Sequence, residues 1–472
     1  MNYDFRTDYT RFIATKLVHV APTGLANVPA LSDHLFPFQR DLVTWALKRG
    51  RSALFAATGL GKTRMMIEWA RVVSEATGTR VLILAPLAVA QQTAREGEKI
   101  GVRVVVSRDP FDATDAPLTI TNYDRIHRYK GSDYGAVVLD ESSIIKHHNA
   151  KTFATLTEMF WHTQYKLCAT ATPAPNDFVE LGTHAEFLGI CTRAEMLAEF
   201  FCHDGGDTSV WRLKGHARAA FWRWVASWGA LLRQPSDLGY EDEGYALPGL
   251  IVRHHTIATD AQAVKESGFL FAQEATDLMS RRRARRDSLG HRVALCSEHI
   301  NAMPADEPCV VWCDLNDESD ALRKAIPGSV EIRGNVDVDE KERRLVAFSE
   351  GKTRVLISKA SITGWGLNWQ HCARTMFVGA TDSWESYHQA VRRFYRFGQQ
   401  REVEVDIYAS DVEGSVIKNL MRKEAAAKEM AEALSTETRA TVLAEVRGQT
   451  RDTNVYAPGK IEVPKWLVTD RT

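Results

Sequence analysis

The chain has 472 residues and a mass of 52.9 kDa, with 44 % hydrophobic and 25 % charged residues, so we expect two principal globular domains and no extensive disorder outside the ends. Lysine and arginine number 59 and aspartate and glutamate 60, which excludes a uniformly basic surface and leaves any nucleic-acid contact to local patches. No uncharged apolar run approaches the roughly 20 residues that span a bilayer, so a membrane protein is excluded.

The first residues and the cysteines indicate an intracellular protein. The start, MNYDFRTDYTRF, has no basic stretch followed by an apolar one, so no secretory signal is expected. The seven cysteines are scattered, odd in number and form no CxxC pair, which favours reduced thiols. Cys309 and Cys313 flank a predicted strand, where we expect buried free thiols. A cytoplasmic location follows from these observations.

Between Ser52 and Ala171, short apolar runs alternate with helical patterns. The runs are SALFAA, VLILAP, LTITN, AVVLDE and KLCATA. This alternation is typical of a parallel sheet covered on both faces by helices. Each run ends in polar or small residues, so we expect chemistry at the carboxyl ends of the strands, where open α/β sheets bind ligands.

The following segment, from about residue 190 to 300, has a helical, aromatic and basic pattern, with FWRWVASWGALL and SRRRARRDSL. We interpret it as an insert and a linker. The alternation then returns between about Pro308 and Tyr408, through CVVWCD, SVEIRG, RVLISK, TMFVGA and VEVDIY. This second series predicts a second α/β lobe.

A long helical pattern, IKNLMRKEAAAKEMAEAL, follows Glu413, and a polar tail is predicted from about Ser435. The predicted fold class is therefore α/β, with two parallel-sheet lobes, a helical insert between them and a helical C-terminal extension. The expected segments are an N-terminal segment 1–33, lobe one 34–190, the insert and linker 191–300, lobe two 301–434 and the tail 435–472.

A phosphate-binding loop is predicted at AATGLGKT, between the strand SALFAA and the helix RMMIEWARVV. Small residues allow backbone N–H groups to surround phosphates at a helix N-terminus, while Lys62 reaches the terminal phosphates and the Thr63 hydroxyl binds magnesium. The other predicted phosphate-binding residues of the loop are Thr58, Gly59 and Gly61. The strict GxxxxGKT pattern is missed by one position, at Ala56, and a strand–helix turn with a chance GKT is the alternative.

Two carboxylates, Asp140 and Glu141, end the apolar strand AVVL. Such a pair suits ATP hydrolysis, because Asp140 could hold magnesium through water while Glu141 polarises the attacking water. Two acids after a strand are also common as a helix N-cap. The upstream phosphate loop favours the catalytic interpretation, with ATP and magnesium as the cofactors.

The order of these motifs resembles helicase superfamily two, and specifically the Swi/Snf-type DNA translocases, which implies that both lobes are RecA-like. HLFPFQRDLVTWAL is similar to the family's opening motif and implies that Gln39 reads the adenine edge with Phe38 nearby. ILAPLAVAQQTAREGEK and TITNYD resemble the next two motifs, which in the family contact the DNA backbone. Their candidate residues are Pro86, Asn122 and Tyr123.

The resemblance continues through the end of lobe one and into lobe two. ATATPAPNDFVELGTHAEFL is similar to the family's coupling motif, with Thr170, Thr172 and Pro173 in register. SKASITGWGLNW resembles the Gly-rich motif, which implies nucleotide contact at Gly364 and nucleic-acid contact at Ser358 and Lys359.

The most specific match is QAVRRFYRFGQ, which has the family's Q-A-x-x-R-x-x-R-x-G-Q spacing at every fixed position and assigns Gln389 to the nucleotide site. Arg393 and Arg396 are three residues apart, on one face of a predicted helix. Guanidinium groups brought to a γ-phosphate held by the other lobe would neutralise transition-state charge. A solvated basic helix is the alternative.

The sequence departs from the family in two places. The family usually has histidine at the fourth position of its D-E-x-H box, where this chain has Ser143, so the residue that couples Glu141 to the other motifs is not identified. The insert is short and differs from the longer helical protrusions of chromatin remodellers. Compact relatives of this kind resemble proteins of bacteria and their phages.

The insert has an aromatic face and a basic run. Core packing is the favoured role for its apolar positions, with base stacking or a strand-separating wedge as the alternative. Those positions are Phe221, Trp224, Val225, Trp228, Leu231 and Leu232, on one face of a predicted helix. Arg281, Arg282 and Arg283 are candidates for contact with DNA phosphates, and a solvated linker helix is the alternative.

The resemblance implies a DNA-stimulated ATPase that moves along DNA as the cleft between the lobes opens and closes. We expect double-stranded DNA as the partner, with single-stranded DNA possible, no membrane and no identifiable protein partner. Three alternatives stay open: a strand-separating DNA helicase, an RNA-remodelling ATPase, and a nucleotide-gated DNA clamp with little turnover.

Overall fold

The computed structural model describes residues 22–86, 89–113, 115–204, 207–257, 286–363, 368–379 and 383–447. Two all-parallel sheets flanked by helices confirm the predicted α/β fold class with two lobes. In the described ranges, no helix has both the length and the apolar character that crossing a membrane requires. All seven cysteines are free, and Cys309 and Cys313 are buried, as predicted.

Lobe one contains a seven-stranded sheet. Its strands are β1 Arg51–Ala56, β2 Val81–Ala85, β3 Val105–Val106, β4 Leu118–Asn122, β5 Ala136–Asp140, β6 Tyr165–Ala169 and, later in the chain, β9 Gly229–Leu232. Their order is β3-β4-β2-β5-β6-β1-β9. Its helices are α1 Pro37–Arg49, α2 Lys62–Thr77, α3 Ala90–Lys99, α4 Lys151–Met159 and α5 Leu181–Leu188. The central strands are buried along their whole length, because helices cover both faces.

The described part of the insert is mixed rather than wholly helical. It forms α6 Arg193–Phe200, an antiparallel hairpin of β7 Phe201–Asp204 and β8 Asp207–Leu213, then α7 Arg218–Ala226 and β9. The single helical face predicted through Leu232 is therefore wrong beyond Ala226. Leu231 and Leu232 pair instead with Phe55 and Ala56 of β1, so tertiary strand pairing overrides the helical periodicity.

The predicted core role of the insert's aromatic residues is confirmed. Phe221, Val225 and Trp228 are fully buried, and the Trp228 ring packs against Phe55 with centroids 6.1 Å apart. Trp222, which the helical periodicity did not select, is buried as well. These side chains anchor the insert to lobe one.

Lobe two contains a six-stranded parallel sheet. Its strands are β10 Leu250–Ile257, β11 Cys309–Trp312, β12 Val330–Ile332, β13 Val355–Ser358, β14 Arg374–Val378 and β15 Val403–Ser410, in the order β10-β15-β14-β11-β13-β12. Its helices are α8 Leu289–Ala302, α9 Asn316–Ala325, α10 Val338–Ser349, α11 Ala360–Thr363 and α12 Trp384–Val391. The linker contributes the edge strand β10, which its sequence pattern did not predict.

The last described element is a single helix, α13 Gly414–Arg447, of 34 residues. At 1.5 Å per residue it is about 51 Å long, enough to reach across both lobes. Leu420 packs in the core of lobe two, whereas Leu434 packs in that of lobe one. The polar tail predicted from Ser435 thus begins inside a helix: Ser435 and Thr438 are buried, and the Thr438 hydroxyl accepts the Leu231 N–H at 2.9 Å.

Candidate active site

The predicted phosphate loop connects β1 to α2 at the carboxyl edge of the lobe-one sheet. Thr58 and Gly59 form its turn, and Gly59 and Gly61 have φ angles of 97° and 79°, which glycine adopts without steric cost. Gly61 is the N-cap of α2, so the helix N-terminus faces the loop. The Lys62 ammonium donates to the carbonyl of Ala56 at 2.8 Å and closes the loop.

Gln39 supports this loop from α1. Its carboxamide oxygen accepts the Phe36 N–H at 2.9 Å, and its Nε2 donates to the carbonyl of Leu60 at 2.8 Å. A Cβ atom added at Gly61 would lie 2.3 Å from Gln39 Nε2, so a larger residue at this position would displace the Gln39 carboxamide. Gln39 and Phe38 are both buried.

The carboxylate pair lies at the end of β5. The Glu141 N–H donates to Asp140 Oδ1 at 3.0 Å, and Glu141 has a φ of 51°, the one positive value among the described non-glycine residues. Such strain at a polar strand end is a common feature of functional sites. Burial, reinforced by the charge of Glu141 and opposed by Lys62, raises the pKa of the Asp140 carboxyl to about 7.

Two contacts connect the acid box, which comprises Asp140 to Ser143, to the coupling motif that contains Thr170 and His184. The Thr170 hydroxyl donates to Glu141 Oε2 at 3.3 Å and accepts the Thr172 N–H at 3.1 Å. One residue along the box, Ser142 Oγ and His184 Nε2 form a hydrogen bond of 3.1 Å. His184 is fully buried, which lowers its pKa to about 4 and keeps the ring neutral.

Ser143 stands where the family has its box histidine, but it does not connect the acid box to the coupling motif. Ser143 is buried, and its hydroxyl has no hydrogen-bond partner among the described residues. The neighbouring Ser142 makes the contact instead, to a histidine on α5. His184 lies within the THAEFL part of the coupling motif, which was the available sequence signal for it.

The two arginines lie just past a helix rather than on its face. α12 ends at Val391, and Arg393 and Arg396 follow in tight turns, which corrects the helical face predicted for them. Gln389 orients Arg393: its backbone carbonyl accepts Arg393 Nε at 3.2 Å and its Oε1 accepts Nη2 at 3.1 Å. Arg393 is only 3 % exposed.

The arginines of lobe two and the loop of lobe one meet across the cleft. Burial lowers the pKa of the Lys62 ammonium, Glu141 and Asp140 oppose this effect, and Arg396 and Arg393 add to it. Burial lowers the pKa of Arg393 to about 9, with Arg396 lowering it too and Glu141 opposing. These effects indicate that charged groups from both lobes lie near one another in one partly buried cluster.

Direct packing also joins the phosphate loop to lobe two. A Cβ atom added at Gly59 would lie 2.8 Å from the Cβ of Phe397, the residue that follows Arg396. Tyr245, from the linker, packs on Phe397 with ring centroids 4.7 Å apart and edge-on against Phe38 at 5.6 Å. Phe36 completes this aromatic cluster. Sequence reasoning missed Tyr245, which no motif contains, and Phe397, a variable position of its motif.

The predicted nucleic-acid candidates mostly have partners inside the lobes. Tyr123 is buried, and its hydroxyl donates to the carbonyl of Asp140 at 2.7 Å. Asn122 caps a short 3-10 helix by accepting the Arg125 N–H at 3.1 Å. Ser358 is buried and donates to the carbonyl of Ile332 at 3.0 Å.

The other nucleic-acid candidates are a proline, a lysine and three arginines, and Gly364 is a candidate for the nucleotide site. Pro86 and Lys359 are half-buried at the ends of β2 and β13. The remaining predicted residues, Arg281, Arg282, Arg283 and Gly364, lie outside the described residues.

Two family models match the chain, one in each lobe. Residues 38–200 match the SNF2-related domain, and residues 292–398 match the helicase conserved C-terminal domain. No curated protein matches the chain. Among solved structures, the chain is similar to a Sulfolobus solfataricus SWI2/SNF2 ATPase core in complex with dsDNA, with 17 % identity, a TM-score of 0.41, and coverage of 89 % of this chain and 96 % of that one.

The two matched domains supply the two sides of the cleft. The phosphate loop and the acid pair lie within the first, and the arginines within the second. The chain therefore belongs to the Swi/Snf-type ATPases of helicase superfamily two.

Proposed function

We propose that the chain hydrolyses ATP when DNA is bound and couples the reaction to movement along double-stranded DNA. The observation that carries this proposal is the direct packing of lobe two on the phosphate loop, where Phe397 meets Gly59, which brings the buried Arg393 towards the half-buried Lys62 and Glu141. A nucleotide bound there would contact both lobes at once. Nucleotide binding and hydrolysis would therefore change the position of one lobe relative to the other.

Each group at the cluster has a distinct role in this proposal. The Lys62 ammonium binds the terminal phosphates, and the Glu141 carboxylate orients the attacking water and accepts its proton. Arg393 and Arg396 neutralise the charge that develops on the transferred phosphoryl group. Gln389 is a positioning residue, because its two contacts to Arg393 fix the guanidinium.

Magnesium fits the oxygen donors at this site. Asp140 and Thr63 supply a carboxylate and a hydroxyl, which are hard ligands that suit magnesium beside phosphate oxygens. Bound magnesium would neutralise phosphate charge. Burial and the charge of Glu141 raise the pKa of Asp140, and a bound cation would lower that pKa and favour the carboxylate.

The adenine end of the nucleotide is proposed to lie against the aromatic cluster. Gln39 would read the base edge, and the rings of Phe38 and Tyr245 offer apolar faces beside it. Because Tyr245 also packs on Phe397, base binding would involve the linker and lobe two as well as lobe one.

Contacts at the acid box favour turnover over a passive clamp. Glu141 reaches the coupling motif through Thr170, and Ser142 reaches it through His184, so the box is connected despite Ser143. Strand separation is the second candidate. It is favoured by the β7–β8 hairpin, in which His203 and Trp211 stack with centroids 3.9 Å apart.

The test is steady-state ATP hydrolysis by the full chain without nucleic acid and with duplex DNA, single-stranded DNA or RNA, followed by triplex-displacement and strand-separation assays. We expect the largest stimulation by duplex DNA, displacement of a triplex strand and no unwinding. Unwinding of a forked duplex would favour the second candidate, and stimulation by RNA alone would contradict the proposal.

A further inference from the structure

A buried ion pair crosses the cleft beside the catalytic cluster. The Lys146 ammonium of lobe one contacts Glu385 Oε2 of lobe two, and their side chains are only 17 % and 6 % exposed. Lys146 lies five residues after Glu141, at the end of the short 3-10 turn that follows the acid pair. Glu385 is in the first turn of α12, the helix that ends just before Arg393.

A second carboxylate, Glu180 of lobe one, lies near enough to Lys146 and Glu385 for their charges to affect it. Glu180 is buried and accepts two hydrogen bonds from Asn176, at 3.0 and 2.8 Å. Burial raises the pKa of Glu180, the Asn176 bonds and the charge of Lys146 oppose this rise, and Glu385 adds to it. Lys146 therefore forms an ion pair with the carboxylate of lobe two, and its charge also favours the ionised form of Glu180 of lobe one.

The same cluster contains another contact between lobe one and the C-terminal helix. Lys423 of α13 donates to Asn176 Oδ1 at 2.9 Å. Asn176 thus joins Glu180 to the helix that follows lobe two. Glu385 of lobe two adds a carboxylate to this group of lobe-one side chains by pairing with Lys146. The other carboxylate oxygen of Glu385, Oε1, is buried without a hydrogen-bond partner among the described residues.

A buried ion pair between two lobes determines how the lobes are positioned more than it stabilises their association. Desolvating two charges offsets most of their attraction, so a buried pair adds little to the free energy of closure. Leaving one of the charges buried without the other is costly, and this cost excludes closed arrangements in which Lys146 and Glu385 fail to meet. The pair can therefore fix the register of closure.

We infer that Lys146 and Glu385 are positioning residues whose ion pair sets the register in which lobe two closes and so delivers Arg393 to the nucleotide. This inference rests on the proposed function, because it assigns the contact to ATP hydrolysis at the same cluster. It explains why the ion pair joins the turn after the acid pair to the first turn of α12, the helix that precedes Arg393, rather than two surfaces far from the site.

The kinetic test compares the full-length wild type with Lys146→Met, Glu385→Gln and the double variant, using saturating duplex DNA. Each single substitution should lower kcat about 100-fold, the cost of misplacing a catalytic group by about 1 Å. The Kd for ATP, measured with a fluorescent analogue, should stay within about twofold, because Lys62 and Gln39 are unchanged. The double variant should be no slower than the slower single one, since both changes remove one contact.

A matched control is Glu307→Gln, which breaks the ion pair with Arg401 inside lobe two. It should retain the wild-type kcat, and thermal unfolding of every variant separates misfolding from misplacement. Wild-type kcat in Lys146→Met or Glu385→Gln, or additive losses in the double variant, would overturn the inference.

A second readout does not depend on hydrolysis. Carbodiimide treatment of the full chain with a non-hydrolysable ATP analogue should join Lys146 directly to Glu385, detected as a cross-linked peptide by mass spectrometry. Glu385→Gln should abolish that product. Absence of the product in the wild type would refute the contact, whereas its presence in a chain without ATPase activity would refute the proposed function and leave the contact standing.

Discussion

At the scale of single residues, the site depends on a few charges that are buried and held in fixed positions. Lys62, Asp140 and Arg393 all have pKa values displaced by burial and by neighbouring charges, which is characteristic of groups arranged for catalysis. The left-handed backbone at Glu141 is local strain that the surrounding lobe maintains. Removing one charged group from this cluster should therefore affect chemistry more than folding.

Replacing Glu141 by glutamine keeps the side chain's shape and removes its basicity. We expect kcat to fall by about 100- to 10 000-fold, the usual contribution of a positioned acid–base group. Nucleotide affinity should be retained, because Lys62 and the loop are intact. The measurement is DNA-stimulated ATP hydrolysis beside equilibrium binding of ATP. Glu158→Gln, an exposed position on α4, is the control, and equal rates for both variants would disprove the assignment.

The buried His184 should make stability depend on pH. Its pKa is about 4 in the folded chain, against an ordinary 6.5, so only the unfolded chain takes up this proton as the pH falls from 6.5 to 4. The free energy of unfolding should therefore drop in that interval by about 3 kcal/mol more for the wild type than for His184→Gln. Denaturant titrations at several pH values measure this difference. His162→Gln, on the surface, should follow the wild type, and parallel curves for all three would contradict the expectation.

Tyr245 should contribute to nucleotide affinity through its ring. Tyr245→Ala removes the surface that joins Phe38 to Phe397, so KM for ATP should rise about three- to tenfold, equivalent to about 0.5–1.5 kcal/mol for an aromatic contact. Tyr245→Phe keeps the ring and should retain the wild-type KM. An unchanged KM in the alanine variant would remove Tyr245 from the base site.

At the scale of elements, the parts that the sequence pattern predicted are those with a local signal. The five apolar runs of each lobe all form strands, because short runs rich in β-branched and other apolar residues carry a local strand signal. β9, β10 and the final turns of α13 were missed, since each depends on a distant partner: β9 on β1, β10 on β15, and Thr438 on Leu231. Periodicity within a segment carries no information about such pairings.

The same reasoning applies to the arginine motif. Its spacing selected Arg393 and Arg396 as candidates, yet the helix stops at Val391 and both arginines lie in the turns after it. The turns let Arg393 reach back to the carbonyl and side chain of Gln389, a contact that a continued helix would not supply in this form.

The far half of α13 should stabilise lobe one. Leu434 is fully buried in the lobe-one core, so Leu434→Ala should lower the free energy of unfolding by about 2–5 kcal/mol. Met421, on the same helix, is 52 % exposed, and Met421→Ala should change it by no more than about 0.5 kcal/mol. Denaturant unfolding of both variants makes the comparison. Equal effects would show that the helix does not pack on lobe one in solution.

At the scale of the whole molecule, two lobes, a linker and a C-terminal helix surround one cleft. The linker contributes Tyr245 beside the proposed base site, and α13 connects the core of lobe two to that of lobe one. Motif order along the chain was enough to predict that the phosphate loop and the arginines face each other. The connections that hold them there, including Lys146 with Glu385, involve residues outside any motif used in the prediction and required the three-dimensional structure.

The most direct test of the account is single-turnover ATP hydrolysis by Arg393→Ala with duplex DNA bound. Because Arg393 comes from lobe two and the nucleotide site from lobe one, we expect hydrolysis to slow by about 1000-fold or more, as for other arginine fingers, with little change in ATP affinity. Arg323→Ala, at an exposed position on α9, serves as the matched control and should hydrolyse ATP at the wild-type rate. Hydrolysis by Arg393→Ala at the rate of that control would contradict the claim that the two lobes act together on one nucleotide.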